Sequence, residues 1–292
     1  LKCLCYYCFL PVFSWLKISI KYIIISPVRN EEKNIEYTIK SVISQTIKPL
    51  VWIIVDDGSS DATAEIIKNH AQKHDWISLI QLPDRGHYDL MEGGEIKAFY
   101  KGYETIKEKK YEFLAKLDGD ISFDKHYFEN LFREFYLNKK LGIASGLCYI
   151  QKNGELIPEK TYKKHPRGPA RIYRRDCWDD IGGVEDKLTW DAIDAYKARM
   201  LGWDTANFQN IKATHHVKTW KKGGLIHGLI RAGRLQYLMG THYLFFTAKI
   251  IKRSFSRPYI FGAAVMLYGY IRSYLAKEQR VPEPELMSFI RR

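Results

Sequence analysis

The sequence predicts an α/β protein in which helices flank a mostly parallel sheet and a basic helical tail follows. Two short apolar runs, residues 22–26 and 51–55, are rich in isoleucine and valine, as buried parallel strands are. Residues 34–45, between them, carry apolar side chains at helical spacing. Strand, helix and strand in this order form a βαβ unit, and ligands of such sheets bind at the carboxyl ends of the strands. With 292 residues, the chain can hold one large α/β domain and an appendage.

Later segments continue this alternation of strands and helices. Apolar periodicity predicts further helices at 61–74, 92–109 and 125–139. Short apolar runs predict strands at 77–82, 111–120, 141–150, 170–178 and 208–213. The polar, basic residues 151–168 predict a flexible loop.

Charge is distributed unevenly along the chain. The formal net charge is +13, but residues 205–292 contain 15 Lys and Arg residues against three acids. The first two-thirds of the chain is therefore nearly neutral, which argues against a nucleic-acid-binding face on the α/β part. We expect no nucleic-acid partner.

The cysteines indicate a reducing compartment. Their number, five, is odd, so a complete set of disulfides is not expected. Cys3, Cys5 and Cys8 lack a second group of ligands with zinc-site spacing, and Cys148 and Cys177 are isolated in apolar surroundings. We therefore expect a cytoplasmic protein.

Residues 1–16 are apolar and aromatic, but they are too short to cross a bilayer and lack a cleavage signal. We interpret them as an N-terminal extension that is either not native or disordered, and we assign it no function. The predicted division is an extension at 1–16, an α/β domain at 17–218 and a basic helical tail at 219–292.

Carboxylates follow two of the predicted strands. Asp56 and Asp57 come directly after the second strand, where Asp-Gly-Ser is also ordinary turn chemistry. Asp118 and Asp120 end the strand predicted at 111–120 and, being two apart, point the same way in an extended chain. Such a pair is suited to hold Mg²⁺ or Mn²⁺, which in turn binds a diphosphate.

Two segments, P-V-R-N-E-E at 27–32 and D-D-G-S-S-D at 56–61, resemble the nucleotide-binding start of glycosyltransferase family 2. This family comprises inverting sugar transferases with a GT-A fold. The resemblance implies a nucleotide-diphospho-sugar donor held by side chains at the strand ends. The implied donor-binding residues are Pro27, Arg29, Asn30, Glu31, Asp56, Asp57, Arg85 and Asp118.

The resemblance also implies a metal site. In the family's pattern the second acid of D-x-D ligates Mg²⁺ or Mn²⁺, which implies that role for Asp120. The first acid contacts the ribose or the metal, which implies that role for Asp118. His215 is the candidate third ligand, with His216 as the alternative. The Q-x-x-R-W motif of the family's processive synthases is missing from the sequence, so we expect one sugar to be transferred per encounter.

The candidate general base is Asp191. The run R-R-x-x-W-x-x-I-G-G at 174–183 and the L-G-W at 201–203 match the family's pattern around its catalytic helix. This alignment places that helix at 191–201 and Asp191 at the catalytic position. Trp190 stands where the family usually has another acid. An Asp at a helix start is also often a cap or dipole partner, and Asp194 is a rival for the role. Inverting transfer needs one carboxylate to take the proton of the acceptor hydroxyl.

The tail contains apolar stretches bordered by Lys and Arg, all shorter than the roughly 18–20 residues that span a bilayer. This pattern favours helices lying in an anionic membrane interface, while a helical lid on the catalytic domain is the alternative. We expect a glycan or lipid-linked acceptor and peripheral contact with the inner face of the cytoplasmic membrane.

The predicted function is therefore metal-dependent, inverting sugar transfer in the synthesis of cell-surface polysaccharide or glycolipid. One alternative is a non-catalytic nucleotide-sugar-binding or membrane scaffold protein, which Trp190 would suit. Another is a nucleotidyltransferase of related sheet topology, although the acidic, glycine-free segment after the first strand disfavours it.

Overall fold

The computed structural model describes residues 20–84, 94–152, 155–159, 161–186, 189–216, 224–280 and 283–291. The predicted extension at 1–16, the candidate donor-binding residue Arg85 and the predicted domain boundary at 218/219 lie outside these residues. The predicted domain division stays a prediction.

The elements alternate as expected through the first half of the chain. The strands are β1 (Tyr22–Val28), β2 (Val51–Asp56), β3 (Ile77–Gln81), β4 (Phe113–Leu117), β5 (Ile121–Phe123), β6 (Leu141–Lys152), β7 (Glu155–Pro158), β8 (Ala170–Arg174) and β9 (Asp204–His215). The helices are α1 (Ile35–Ile43), α2 (Thr63–Ala71), α3 (Gly94–Glu104), α4 (Tyr127–Leu137), α5 (Arg175–Asp180), α6 (Trp190–Met200), α7 (Gly224–Leu238), α8 (Tyr243–Ser254), α9 (Tyr259–Leu275) and α10 (Pro284–Arg291).

Over the described residues, nine strands form one sheet in the order β3-β2-β1-β4-β8-β6-β9-β5, with β7 paired to β6. β1 lies parallel between β2 and β4, β2 is parallel to β3, and β6 is parallel to β9. The strands β5, β7 and β8 run antiparallel to their neighbours. The predicted α/β fold, with a mostly parallel sheet flanked by helices, is confirmed.

The sheet has an apolar layer on each face. Tyr22 and Ile24 of β1 pack with α1, α2 and α4 on one face, and Ile23 and Ile25 pack with α3, α5 and α6 on the other. Because both faces are covered, β1 is buried along its whole length. This burial explains why its sequence is a continuous apolar run and not an alternating one.

The strand predicted at 170–178 ends at Arg174, and the helix α5 follows it. Cys177 and Trp178 are adjacent and pack in the same apolar layer. Adjacent side chains of a strand point to opposite faces, so both can enter one layer only where the chain leaves the extended conformation.

Two short strands lie where the sequence pattern did not predict them. β7 falls inside the segment predicted to be a loop, and its four residues are exposed while their backbone pairs with β6. β5 has three residues and pairs with β9, so that Ile121 lies opposite His215. β7 has no buried apolar residue, and β5, with Ile121 and Phe123 buried, is too short for its alternation to be recognised as a strand.

The C-terminal helices pack on one another and on α6. Met239 and Leu286 form a small apolar cluster with Ile193 of α6, and Lys197 of α6 forms an ion pair with Glu283 at 2.9 Å. α10 is therefore the bridge between the helix that carries Asp191 and the helical tail. Among the helices that the structure describes, none is long and apolar enough to cross a membrane.

Candidate active site

The polar segments after β1 and β2 meet because the two strands are parallel and in register, with Val28 beside Asp56. The side-chain oxygen of Asn30 accepts a hydrogen bond from the Ser60 amide at 2.9 Å, and the Asn30 amide donates to Ser59 Oγ at 2.9 Å. Asn30 has a φ of 54°, a left-handed conformation that asparagine adopts more readily than most residues. These bonds hold the two predicted donor-binding segments together.

Arg29 links the segments that follow β1, β2 and β3 by hydrogen bonds. Its guanidinium donates to the Asp57 carbonyl at 2.6 Å and to Asp84 Oδ1 at 2.8 Å. Gly58 has a φ of 71°, and a Cβ there would lie 2.6 Å from Asp84 Cα. The close approach of these loops therefore requires glycine at this position.

Asp56 and Asp57 are both buried at this edge. Asp56 Oδ1 accepts hydrogen bonds from the Ser59 amide at 3.0 Å and from Ser59 Oγ at 2.5 Å. One carboxylate oxygen of Asp56 thus stabilises the turn that the sequence suggests, which is the ordinary turn role of such a residue.

The D-x-D segment lies against the end of β1. The Thr38 hydroxyl donates to the Gly119 carbonyl at 2.8 Å, and a Cβ at Gly119 would lie 2.8 Å from Val28 Cγ1. Pro27, Glu31 and their neighbours therefore share one edge of the sheet with Asp118 and Asp120. This is the arrangement that the carboxyl ends of parallel strands predict.

Asp118 is paired with a buried lysine. Lys116 Nζ lies 2.5 Å from Asp118 Oδ1 and 3.5 Å from Glu95 Oε1. Burial lowers the pKa of Lys116, but the charges of Asp118 and Glu95 outweigh it and leave the pKa raised. The lysine therefore stays charged, and it compensates for two carboxylates in a confined space.

Trp190 connects the D-x-D segment to the start of α6. Lys116 Nζ lies 4.7 Å from the centre of the indole ring, and the Arg171 guanidinium lies 5.2 Å from it. These two cations come from β4 and β8, where Lys116 and Arg171 are paired in register. Asp191, the next residue along α6, is thus brought to the same side of the sheet as Asp118.

Glu95 is a site residue that the sequence patterns did not identify. It lies in the first turn of α3, its side chain is 31% exposed, and its Oε1 accepts a hydrogen bond from Trp190 Nε1 at 2.7 Å. Burial raises its pKa, Lys116 opposes this, and the negative charges of Asp118 and Asp191 raise it further. The Glu95 carboxylate thus lies near both Asp118 and Asp191. It is bonded to Trp190, the aromatic residue that precedes Asp191.

The two candidate acids on α6 have different surroundings. Asp194 is buried, with both carboxylate oxygens 2.6 Å from Arg171 Nη1 and Oδ2 accepting from the Tyr173 hydroxyl at 2.5 Å. Asp191 is partly exposed, and no hydrogen bond or ion pair of its carboxylate is found within the described parts of the chain. Its backbone carbonyl accepts from Arg171 Nη1 at 2.9 Å. Asp194 is therefore bound into the core, whereas Asp191 is partly exposed.

His215 faces Asp120, whereas His216 does not. His215 Nε2 lies 3.3 Å from Asp120 Oδ2, and its Nδ1 lies 3.4 Å from Glu159 Oε1. Burial lowers the pKa of His215, but hydrogen bonds to Asp120 and Glu159 raise it to about 10. His216 instead contacts Ser122 Oγ at 2.8 Å and stacks on Tyr37.

This arrangement fits a divalent cation held jointly with a substrate. Asp120 offers a carboxylate oxygen, which Mn²⁺ and Mg²⁺ both accept, and His215 faces it with a ring nitrogen that must first lose the proton its raised pKa retains. Within the described ranges, no group of three or more Asp, Glu, His or Cys residues forms a complete metal cage. Mg²⁺ sites with few protein ligands usually complete their coordination with substrate phosphates and water.

A family model described as "Glycosyl transferase family 2" matches residues 23–186. Among curated proteins, the poly-beta-1,6-N-acetyl-D-glucosamine synthase of Staphylococcus epidermidis is 30% identical over 128 residues, and that of Staphylococcus aureus strain COL is 27% identical over 128 residues. Each match covers 44% of this chain and 28% of the relative's length.

Two solved structures share the fold. The mannosyltransferase PcManGT from Pyrobaculum calidifontis, in complex with GDP-Man and Mn²⁺, superposes with a TM-score of 0.55 at 14% identity, covering 91% of this chain and 78% of that one. Residues 1–349 of Staphylococcus aureus TarS, in complex with UDP-GlcNAc, superpose with a TM-score of 0.52 at 15% identity, covering 88% and 73%. At these identities the likeness is one of fold.

Proposed function

Because this chain belongs to glycosyl transferase family 2, we propose that it moves one sugar from a nucleotide-diphospho-sugar donor to an acceptor hydroxyl, inverting the anomeric carbon. The observation that carries this proposal is the grouping of Asp118, Glu95 and Asp191 around Trp190. Asp118 and Glu95 lie beside a buried lysine at the carboxyl edge of the sheet, and the charge of Asp191 is close enough to Glu95 to raise its pKa. A carboxyl group with a raised pKa, here Glu95, beside a buried charged lysine is typical of a catalytic site.

The donor's nucleoside would bind at the ends of β1 and β2. We assign its base and ribose to Asp56 and Asp57, aided by the residues of the first loop, Pro27, Arg29, Asn30 and Glu31. The hydrogen bonds of Arg29 and Asn30 support this assignment, because they hold both loops in one conformation before the donor arrives. Arg85 keeps its proposed role beside the nucleotide.

Mg²⁺ or Mn²⁺ would be held by Asp120 and His215, with Asp118 contacting either the ribose or the metal. A bound divalent cation would neutralise the negative charge that develops on the departing nucleoside diphosphate. The ion pair of Asp118 with Lys116 supports a role in orientation, because it limits the directions in which that carboxylate can point.

Asp191 would be the general base. Its carboxylate would take the proton of the acceptor hydroxyl while that oxygen attacks the anomeric carbon and the bond to the diphosphate breaks. Arg171 supports this role by binding the Asp191 carbonyl and the Asp194 carboxylate together, which anchors the first turn of α6. The family usually has a second acid directly before the catalytic one, where this chain has Trp190. We further propose that Glu95, on α3, takes the place of that acid.

The donor that we propose to test first is UDP-N-acetylglucosamine. The support is the resemblance to two poly-beta-1,6-N-acetyl-D-glucosamine synthases and the shared fold with TarS bound to UDP-GlcNAc. GDP-mannose is the comparison donor, since PcManGT binds GDP-Man. The acceptor would be a glycan or a lipid-linked sugar of a cell-surface polymer, met by a cytoplasmic enzyme at the inner face of the membrane.

Transfer by the wild type and by Asp191→Asn, at equal donor saturation, tests the catalytic assignment. Loss of a general base typically lowers kcat by about 10²- to 10⁴-fold, and we expect donor affinity to change little. Asp75→Asn is the matched control, because Asp75 is exposed and lies away from the site. Equal turnover by Asp191→Asn and wild type would favour a non-catalytic binding protein.

A further inference from the structure

α7 and α9 pack with their backbones in contact. Four of the five buried residues of α9 are small, namely Gly262, Ala263, Gly269 and Ser273, and the fifth is Met266. A Cβ added at Gly269 would lie only 2.2 Å from the Ile230 carbonyl oxygen of α7. The inward face of α9 is therefore built mostly from small residues, as are close helix contacts in lipid.

The outward face of α9 carries the large apolar side chains. Ile260 is 75% exposed, Leu275 is 72% exposed, and Phe255 in the turn before α9 is 79% exposed. Surface helices of water-soluble domains normally bury their large apolar side chains and expose polar ones. Here the arrangement is reversed. The other exposed large apolar side chains of this face and of α8 are Tyr243, Leu244, Phe245, Ile251, Tyr259, Phe261, Leu267, Tyr268, Ile271 and Tyr274.

Basic side chains border this apolar face. Residues 224–280 contain nine Lys and Arg residues and a single acid, Glu278, which is paired with Arg234 at 2.7 Å. Lys252 and Arg257 are exposed at the turn between α8 and α9, and Arg272 is exposed near the end of α9. The charge around the apolar face is thus almost entirely positive.

We propose that the docking surface, formed by the outward faces of α8 and α9 and the turn 255–258, binds the headgroup region of an anionic membrane. Its apolar side chains would enter the acyl boundary, and its Lys and Arg residues would contact anionic headgroups. Exposed tyrosines and phenylalanines suit this depth, because aromatic side chains favour the interface. A second copy of the chain would instead bring the same positive charge and would be repelled.

Docking would also orient the catalytic cleft. α10 joins the tail to α6 through Leu286 and through the Glu283–Lys197 ion pair. The helix carrying Asp191 is therefore linked to the docking surface by packed side chains. The docking surface would bind lipid whether or not the cleft transfers sugar.

Flotation of the full chain with vesicles tests this proposal. We expect the fraction of protein that floats to be at least about ten times greater with vesicles containing phosphatidylglycerol than with pure phosphatidylcholine vesicles. High salt should lower this fraction. The double variant Ile260→Ser/Phe261→Ser, and separately Lys252→Glu/Arg257→Glu, should each lose most of this recovery. All four positions are exposed, so we expect the fold, followed by circular dichroism, to be retained.

Leu137→Ser is the control, because Leu137 is equally exposed but lies on α4. It should float like the wild type. Equal recovery with the two kinds of vesicle, or unchanged recovery of both double variants, would overturn the proposal. So would a stable dimer in light scattering that buries these side chains and does not bind vesicles.

Discussion

Asp191 and Asp194 lie one turn apart on α6, but Asp194 is buried and Asp191 is partly exposed. The flanking motifs indicate this helix, but the two acids differ only in what other elements bring to them. Arg171 and Tyr173, both on β8, bind the Asp194 carboxylate. The choice between the two acids therefore rests on a buried ion pair that no spacing within α6 encodes.

Asp194→Asn should destabilise the protein strongly. Removing one partner of a buried ion pair leaves the other charge without compensation, which typically costs about 3–5 kcal/mol. Urea unfolding measures this loss, and Asp75→Asn should change the free energy of unfolding by less than about 0.5 kcal/mol. If Asp194→Asn lowered the free energy of unfolding by no more than the control, the Asp194 carboxylate would not be compensating the charge of Arg171.

Glu95→Gln should change how stability depends on pH. The pKa of Glu95 is raised in the folded state, chiefly by burial, so the folded protein holds this proton at a pH where the unfolded chain has released it. The resulting stabilisation is complete below the unfolded pKa of about 4.3 and is lost as pH rises through the folded pKa. Relative to the wild type, Glu95→Gln should therefore gain stability as pH rises through this window.

Unfolding of both proteins between acidic and neutral pH, with chelator present, measures this difference. Glu104→Gln, an exposed acid on the same helix, is the control and should follow the wild type. A difference that stays constant with pH would contradict the raised pKa of Glu95 in the folded protein.

At the scale of elements, α1, β2 and β4 were predictable because their apolar patterns are local. β5 and β7 were not, because each is short and forms only by pairing with β9 or β6. α5 was predicted as strand because its apolar residues are too few to show a helical period. The fold class was therefore predictable, whereas the second half of the sheet was not.

Gly269→Ala should loosen the contact between α7 and α9. The added methyl would lie 2.2 Å from the Ile230 carbonyl oxygen, so the helices must separate. Overpacking of this kind typically costs about 1–3 kcal/mol. Thermal unfolding measures it, with Ala264→Ser, at an exposed position of α9, as the control. An equally stable Gly269→Ala protein would show that the two helices are not in backbone contact.

At the scale of the whole molecule, donor binding, metal binding and stability should be coupled. UDP-N-acetylglucosamine at about 100 times its Kd should stabilise the folded state by about 2.7 kcal/mol, raising Tm by roughly 5 °C. If Asp120 holds the cation, this shift should appear with Mn²⁺ and vanish with EDTA or in Asp120→Ala. Asp75→Ala should keep it. A shift that persists in EDTA would exclude a metal-bridged diphosphate.

By itself, the sequence determined the alternation of strands and helices, the polar strand ends and the basic tail. Each is a local property: hydrophobic period, turn chemistry or charge count over neighbouring residues. The motifs at 27–32, 56–61 and 118–120 are likewise recognisable because each consists of neighbouring residues. The family match confirms the resemblance that they indicate.

Only the tertiary structure decided which groups meet. Glu95 reaches Trp190 across 95 positions of the chain, His215 and not His216 faces Asp120, and α9 turns its small residues inward. These outcomes depend on which strands pair and which helix faces are covered. Contacts between residues far apart in the chain set them, and a local pattern carries no information about such contacts.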